Sequence, residues 1–270
     1  MTVYPFLAHF GRFTITGYGL MMMAAFLMSG WVFAHRLQEQ GKDQAVAWDS
    51  VVAAVVGGLI GAKVYYAILV GDWGALVSRG GLVWYGGFTG GVLAVAGYLW
   101  WKKLPILPFG DSMAPALAAG YSVGRIGCFL VGDDYGLPTL LPWGMQFPQG
   151  SPPTTVRVLQ ETFHVQLPPG MRLDDVLAVH PTQLYEVALA FTSFVVLWRL
   201  RERRHADGWL LGLYLVFAGC SRLFVEFFRS KDDRFFGPFT LAQVLSVAVI
   251  SIGAWLAFRA RRSTASKASA

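Results

Sequence analysis

The sequence predicts an all-α integral membrane protein: seven transmembrane helices, the N-terminus outside, the C-terminus cytoplasmic, and a small extracytoplasmic cap. Three observations carry that expectation. The chain is 55% hydrophobic and only 14% charged, against about 25% charge in a soluble domain, and its mean hydropathy is +0.49. Apolar windows long enough to cross a hydrocarbon core, which takes about 20 helical residues, recur near 15–35, 48–70, 82–101, 109–130, 182–200, 207–228 and 239–258. The connections between them then alternate in charge. One set holds Arg36, Lys42, Lys102, Lys103, Arg199, Arg201, Arg203, Arg204, Arg259, Arg261, Arg262 and Lys267; the other holds Arg12, Arg79, Arg157, Arg172, Arg229, Lys231 and Arg234. Twelve against seven, alternating with each span, sets the orientation by the positive-inside rule.

Taken in order, Met1–Phe13 has no basic cluster ahead of an apolar core, so the first span is expected to serve as an uncleaved insertion signal. Glycines recur at four-residue spacing (57 and 61, 86 and 90, 87 and 91, 120 and 124, 208 and 212). That spacing lets helix backbones approach closely where no hydrophobic drive exists between helices. The longest polar connection, 133–179, carries seven prolines. It is expected to fold as the cap, with short strands permitted by the alternation in Thr155–Leu159 and His164–Leu167. No linker divides residues 1–262, which read as one bundle, and 263–270 read as a disordered tail.

Several chemistries lose support. Cys128 and Cys220 fall in apolar segments, with neither the spacing of a metal or redox pair nor that of a disulfide framework. The chain has no HExxH or CxxC ligand set, no phosphate-cradling GxxxxGK[ST] loop and no GxSxG elbow. No metal and no cofactor are expected. The net charge of +6 follows from the loop asymmetry and does not point to nucleic acid.

Three of the 22 basic residues, Lys63, Arg125 and Arg222, fall inside the predicted spans. An ionisable side chain there costs about 2.5–3.5 kcal/mol on insertion scales and marks a functional site by default. Arg125 stands among Gly124, Gly127, Gly132 and Gly136, which remove side-chain bulk around it. Arg222, Glu226 and Arg229 follow at four and three residues and share a helical face, as do Lys63 and Tyr66. His180–Glu186 enters the fifth span from outside. Two arginines and a lysine toward the outer half of a bilayer make a site for an anionic headgroup, since the planar guanidinium fork matches phosphate oxygens. The alternative is an internal ion-pair network, Arg222 with Glu226 and Arg125 with Glu186 or Asp133. A transporter of an anionic solute is a further class, and it predicts a polar route continuing to the cytoplasmic side.

Six ordered motifs then carry a resemblance. They are Gly17-Tyr18-Gly19-Leu20-Met21, Gly61-Ala62-Lys63 with Tyr66, Tyr85-Gly86-Gly87, the stretch Gly124–Gly136, His180-Pro181-Thr182-Gln183-Leu184-Tyr185-Glu186, and Arg222–Arg229. With these the chain resembles the bacterial prolipoprotein diacylglyceryl transferases over essentially its whole length. The resemblance implies a transferase of the bacterial cytoplasmic (inner) membrane. It would move the diacylglyceryl group of phosphatidylglycerol to the lipobox cysteine thiol of a prolipoprotein signal peptide, with glycerol phosphate leaving; membrane lipids are its other partners. It also implies roles. Arg125 and Arg222 hold the phosphate, Lys63 attracts the headgroup, and Glu226 and Arg229 orient Arg222 or line the approach. Tyr18 and Tyr66 donate to lipid oxygens, while Gly86, Gly87, Asp133, Gly136 and His180 belong to the substrate-contacting motifs. Three positions depart from many family members: Tyr85 stands for a histidine favoured as base, Cys128 for an asparagine, and Ala218 for a tyrosine. A phenol of pKa about 10 is a weak base. The base is therefore open, and so is a lipid-binding paralogue without catalysis. Cys128 reads as a small apolar filler and not as a nucleophile.

Overall fold

The computed structural model describes residues 6–10, 13–78, 80–203, 205–230, 234–236 and 239–268. Eight helices are found among them: α1 Gly17–Glu39, α2 Ala45–Val70, α3 Trp84–Trp101, α4 Ile106–Val131, α5 Val156–Glu161, α6 Thr182–Leu200, α7 Trp209–Glu226 and α8 Leu241–Ala268. A short 3₁₀ helix, Trp73–Val77, and two short antiparallel hairpins complete the described elements, β1 Phe6–Phe10 with β2 Phe13–Thr16 and β3 Arg234–Phe236 with β4 Phe239–Thr240. Arg12, Arg79, Arg204 and Lys231 lie outside the described residues.

Six helices, α1, α2, α4, α6, α7 and α8, are long and apolar enough to cross a membrane. The chain is a multi-pass helical membrane protein. Helix α3 coincides with the third expected window but is not one of the six. Its 18 residues include Gly86, Gly87, Gly90, Gly91 and Gly97 with three tryptophans and two tyrosines, which dilute its hydropathy. Where a disordered tail is expected from 263, α8 runs on to Ala268.

Helix α4 is the hub, in contact with α1, α6 and α7. It can be central because its inward positions are small: Ala114, Ala116, Ala118, Ala119 and Gly120 are all buried. A Cβ at Gly120 would meet Ser29 and stand 3.0 Å from the Ala25 carbonyl of α1. At the far end of α4, Asp111 performs a tertiary capping role. Its carboxylate accepts from the backbone N–H of Gly208 (2.7 Å) and of Leu211 (2.8 Å) at the start of α7. Gly208 has no side chain with which to cap that helix itself, so its first free N–H groups are satisfied from a neighbour. Glu39 at the end of α1 ties the same end together, pairing with Arg36 at 2.8 Å and with Arg201 at 2.9 Å.

Helices α2 and α3 form a hairpin of their own, with backbones in contact along the glycine rows. A Cβ at Gly61 would meet the Gly86 carbonyl and lie 2.8 Å from the Gly90 Cα; one at Gly57 would lie 2.7 Å from the Gly90 carbonyl. The four-residue glycine spacing is thus helix packing here, as the sequence suggests.

The cap, 132–181, closes on a core of Phe129, Tyr135, Phe147, Leu159 and Val179. One expectation is corrected. Thr155–Leu159 does not form a strand; Thr155 instead caps α5, its hydroxyl accepting from the Val158 N–H at 3.4 Å. His164–Leu167 is not a strand either. Val156 and Leu159, three residues apart, both turn inward, a period that suits a helix and not a strand.

The hairpin packing predicts a contrast between two glycines of α3. Gly90→Leu should lower the thermal stability of the purified protein sharply, because it drives the side chain into α2. Gly97→Leu, at a position with nothing within 4 Å of the added Cβ, should leave it near wild type. Equal stability of the two variants in a fluorescence-detected melting experiment would refute the packing argument.

Candidate active site

The intramembrane arginines do not stand alone. They belong to a chain of alternating charge that runs Glu186, Arg125, Asp134, Arg229, Glu226, Arg222. Arg125 of α4 pairs through Nη2 with Oε2 of Glu186 on α6. Its Nη1 donates to Oδ2 of Asp134 at 3.1 Å. The other oxygen of Asp134 accepts from Arg229 Nη2 at 2.9 Å. Arg229 Nε lies 3.9 Å from Oε2 of Glu226, and that oxygen is 2.7 Å from Arg222 Nη2. Three arginines thus alternate with three carboxylates. The carboxylates have further partners: Tyr121 donates to Glu186 Oε1 at 2.9 Å, and Thr240 donates to Glu226 Oε1 at 2.9 Å.

Burial makes the alternation necessary. The side chain of Glu186 is 2% exposed and that of Glu226 3%. Each buried ion has a desolvation penalty of several kcal/mol, offset only when an opposite charge and well-placed hydrogen bonds meet it. Two buried donors on the arginines, Nε of Arg125 and Nη1 of Arg222, have no hydrogen-bond partner.

Backbone geometry puts these groups together. Gly132 ends α4 in the left-handed conformation (φ 68°), and Asp134 follows at φ 55°, a region that aspartate tolerates better than most residues. This sharp turn aims Asp134 back at Arg125. Two bonds from α6 hold the turn: Thr182 Oγ1 donates to the Asp134 carbonyl at 2.5 Å, and the Gln183 amide donates to that of Asp133. Gly136 lies against Phe228, His180 and Thr182, where a Cβ would stand 2.9 Å from the His180 Cβ. Its own N–H donates to the His180 carbonyl at 2.9 Å. Both glycines are required by close approach or by backbone conformation.

His180 sits at this rim, its Nδ1 3.1 Å from the Tyr185 hydroxyl and its ring 5.2 Å from that of Phe228. Burial lowers its pKa. Tyr18 of α1 adjoins the Arg125 stretch: a Cβ at Gly127 would lie 3.4 Å from the Tyr18 Cα. Cys128 is buried, with Sγ 3.3 Å from Arg125 Nη1. Donor atoms of Cys128, Asp133 and Asp134 fall within 4.8 Å of one another, spacing that could hold a metal ion. The guanidinium of Arg125 already bonds two members of that set.

Other expected site residues lie elsewhere. Lys63 Nζ donates to the carbonyls of Ser78 (2.6 Å) and Gly80 (2.5 Å), holding the connection between α2 and α3. Tyr66 presses on Gly81 in that same connection. Tyr85, in the first turn of α3, is 38% exposed and edge-on to Trp84. Gly86 packs on Gly61 and Tyr65 of α2, and Gly87 on Gly58 and Ala62. The contacts of Lys63, Tyr66 and Tyr85 described above thus lie within α2, α3 and their connection. Sequence reasoning anticipated Glu186 and Glu226 as arginine partners but named Asp133 where the structure uses Asp134. It passed over Tyr121 and Thr240. Tyr121, one helical turn before Arg125, carried a readable signal; Thr240, 14 residues beyond Glu226, did not.

Fold and site together define a multi-pass helical membrane protein whose arginines pair with buried carboxylates next to a folded cap. The comparisons then give the family. The family model described as Prolipoprotein diacylglyceryl transferase matches residues 5–259. The chain is 32% identical over 257 residues to the phosphatidylglycerol–prolipoprotein diacylglyceryl transferase of Cereibacter sphaeroides, covering 86% of this chain and 82% of that protein. It is 32% identical to the enzyme of the same name from Nitratidesulfovibrio vulgaris, covering 88% of each. The corresponding enzyme of Thermosynechococcus vestitus is 28% identical, with 92% and 90% covered. This chain belongs to the prolipoprotein diacylglyceryl transferase family.

Two predictions follow from the ion pairs and the rim. Arg125→Ala strands the Glu186 carboxylate in the interior and should destabilise the fold by about 3–5 kcal/mol. Adding Glu186→Gln should recover most of that loss in a double-mutant cycle read by thermal unfolding; additive losses would refute direct coupling. For His180, the folded pKa lies below the unfolded value of about 6.5, so the fold favours neutral imidazole. That contribution is complete above about pH 6.5 and is lost as pH falls through the folded pKa. The melting temperature should therefore drop between pH 7 and 5, and His180→Gln should shrink that drop. An unchanged pH dependence in the variant would contradict the assignment.

Proposed function

We propose that this chain transfers the diacylglyceryl group of phosphatidylglycerol to the lipobox cysteine of a prolipoprotein, in the bacterial cytoplasmic membrane. Family membership over residues 5–259 supports the activity. The observation that carries the site is the charge chain, in which two arginines keep buried donors without a hydrogen-bond partner, Arg125 Nε and Arg222 Nη1. In this reading α3 is the seventh span, the cap faces outward, and the basic connections stay in the cytoplasm.

The chemistry sets the demands. The substrate thiol, with a pKa near 8.5, is only a few per cent thiolate at neutral pH. Its sulfur attacks the glyceryl carbon bonded to phosphate. The S–C bond forms as that C–O bond breaks, the thiol proton goes to a base, and glycerol phosphate departs with the electron pair. Arg125 and Arg222 receive the phosphate through their free donors while Glu186, Asp134 and Glu226 hold the guanidinium planes. Stabilisation of charge on the leaving oxygens is worth about 3–4 kcal/mol per well-placed donor. Arg229 and Glu226 orient Arg222; Tyr18, Asp133, Gly136 and His180 flank the site on its outer side. Lys63 and Tyr66 fix the α2–α3 connection, and with Gly86 and Gly87 they set where Tyr85 stands beside the bound lipid. Tyr85, standing where many family members carry a histidine, is the candidate base that the test below examines.

The test is peptide-dependent release of glycerol phosphate, using purified protein, phosphatidylglycerol and a lipobox peptide. Arg222→Lys keeps the charge facing Glu226 but loses the fork, and should lower kcat at least 10-fold with the protein still folded, a loss of about 1.4 kcal/mol or more. Wild-type turnover in that variant would remove Arg222 from the site. Tyr85→Phe should abolish transfer and Tyr85→His should sustain it; equal rates for Phe and Tyr would exclude the phenol as base.

A further inference from the structure

The cap carries an apolar loop that its own core does not use. Residues 137–144 read Leu-Pro-Thr-Leu-Leu-Pro-Trp-Gly, without a single charge. Leu140 is 105% exposed, Leu141 42% and Trp143 53%. Single exposed leucines are ordinary, but this cluster is held out by fixed points on both sides. The Leu137 N–H donates to the Phe228 carbonyl at 2.7 Å, two residues beyond the end of α7. Trp143 Nε1 donates to the Tyr185 hydroxyl at 2.9 Å, in the first turn of α6. Thr139 and Met145 add backbone bonds to Ala178 and Val179.

Both anchoring points thus lie where a membrane span meets the cap, which is the level of the lipid headgroups. The tip is also chemically suited to that level. Pro138 and Pro142 have no N–H to desolvate. The Leu141 N–H donates to Thr139 Oγ1 at 3.2 Å, and the Gly144 N–H to the Leu141 carbonyl at 2.9 Å. With the Leu137 and Thr139 N–H groups bonded to Phe228 and Ala178 as well, four of the loop's six backbone donors are satisfied, which lowers its cost of leaving water. Tryptophan beside the tip is the residue enriched at membrane interfaces.

We propose that loop 137–144 is a membrane-interfacial anchor, whose Leu140–Leu141 tip sits in the headgroup–acyl boundary of the leaflet on the cap side. Asp134 and Gly136 lead directly into it, so the anchor holds the Asp134 link of the charge chain at headgroup depth. The inference rests on the membrane-spanning helices and not on the transfer reaction, and it stands or falls separately from it.

The test places an environment-sensitive NBD fluorophore at Leu140→Cys in a Cys220→Ser background, where the remaining thiol, Cys128, is buried. The protein is reconstituted in phosphatidylcholine–phosphatidylglycerol vesicles. Asp174→Cys is the control, since Asp174 is 84% exposed on the cap. The probe at 140 should emit at shorter wavelength than at 174. It should be quenched by lipids spin-labelled near the headgroup and protected from aqueous iodide. Iodide quenching equal to that at 174 would overturn the proposal. So would a blue-shifted probe that neither quencher reaches, because that result means burial against protein, a second copy of this chain included.

Discussion

Three carboxylates and three arginines, taken alternately from separate parts of the chain, make one continuous path of ion pairs inside an apolar bundle. Its members come from α4 (Arg125), the turn after it (Asp134), α6 (Glu186), α7 (Arg222, Glu226) and the segment just beyond α7 (Arg229). Helix packing between apolar surfaces is weakly directional, because lipid tails are as apolar as leucine. Buried charges supply direction. Each is tolerated only where its partner stands, so the path fixes α4, α6, α7 and the start of the cap relative to one another. Its net contribution to stability is modest, since desolvation offsets most of the Coulombic gain. Its effect is on position.

That balance bears on binding. A cluster of unpaired arginines would attract an anion but would not hold its guanidinium planes in a fixed orientation. Here each arginine has one face taken by a carboxylate, while Arg125 Nε and Arg222 Nη1 remain unbonded and buried. Preorganised donors of this kind stabilise developing charge without rearranging during the reaction. A carboxylate partner also keeps the site near neutrality, so that holding it in the bilayer does not depend on a bound lipid.

Two modes of packing hold the protein together. The α1–α4–α6–α7–α8 assembly carries the cap; the α2–α3 hairpin, joined along glycine rows, packs on it through a core that includes Val32, Ala47, Leu99 and Phe109. Motifs that share a family resemblance are divided between assembly and hairpin. Tyr18, Arg125, Gly136, His180, Glu226 and Arg229 fall in the first, Lys63, Tyr66, Tyr85 and Gly86 in the second. A lipid-processing site assembled from both would have one wall held by ion pairs and the other by close backbone contact.

Much of this was legible in the residues. Apolar windows marked the helices, because a bilayer imposes length and composition on any segment that crosses it. Arginines inside apolar windows marked the ion-pair chain, because an ion in a span demands a partner. Glycine spacing marked the close contact of α2 with α3. What the sequence could not decide was partnership across distance. Asp133 and Asp134 are neighbours of the same type, and only the left-handed turn at Gly132 and Asp134 selects which one faces Arg125. Lys63 looked like another cation of the site, but its three-dimensional neighbours are the Ser78 and Gly80 carbonyls. Thr155–Leu159 alternated like a strand, but the Thr155 cap and the burial of Val156 with Leu159 made it helical. Composition and period are local properties that a chain carries with it anywhere; which charge answers which depends on backbone turns and helix contacts that exist only once the bundle has closed.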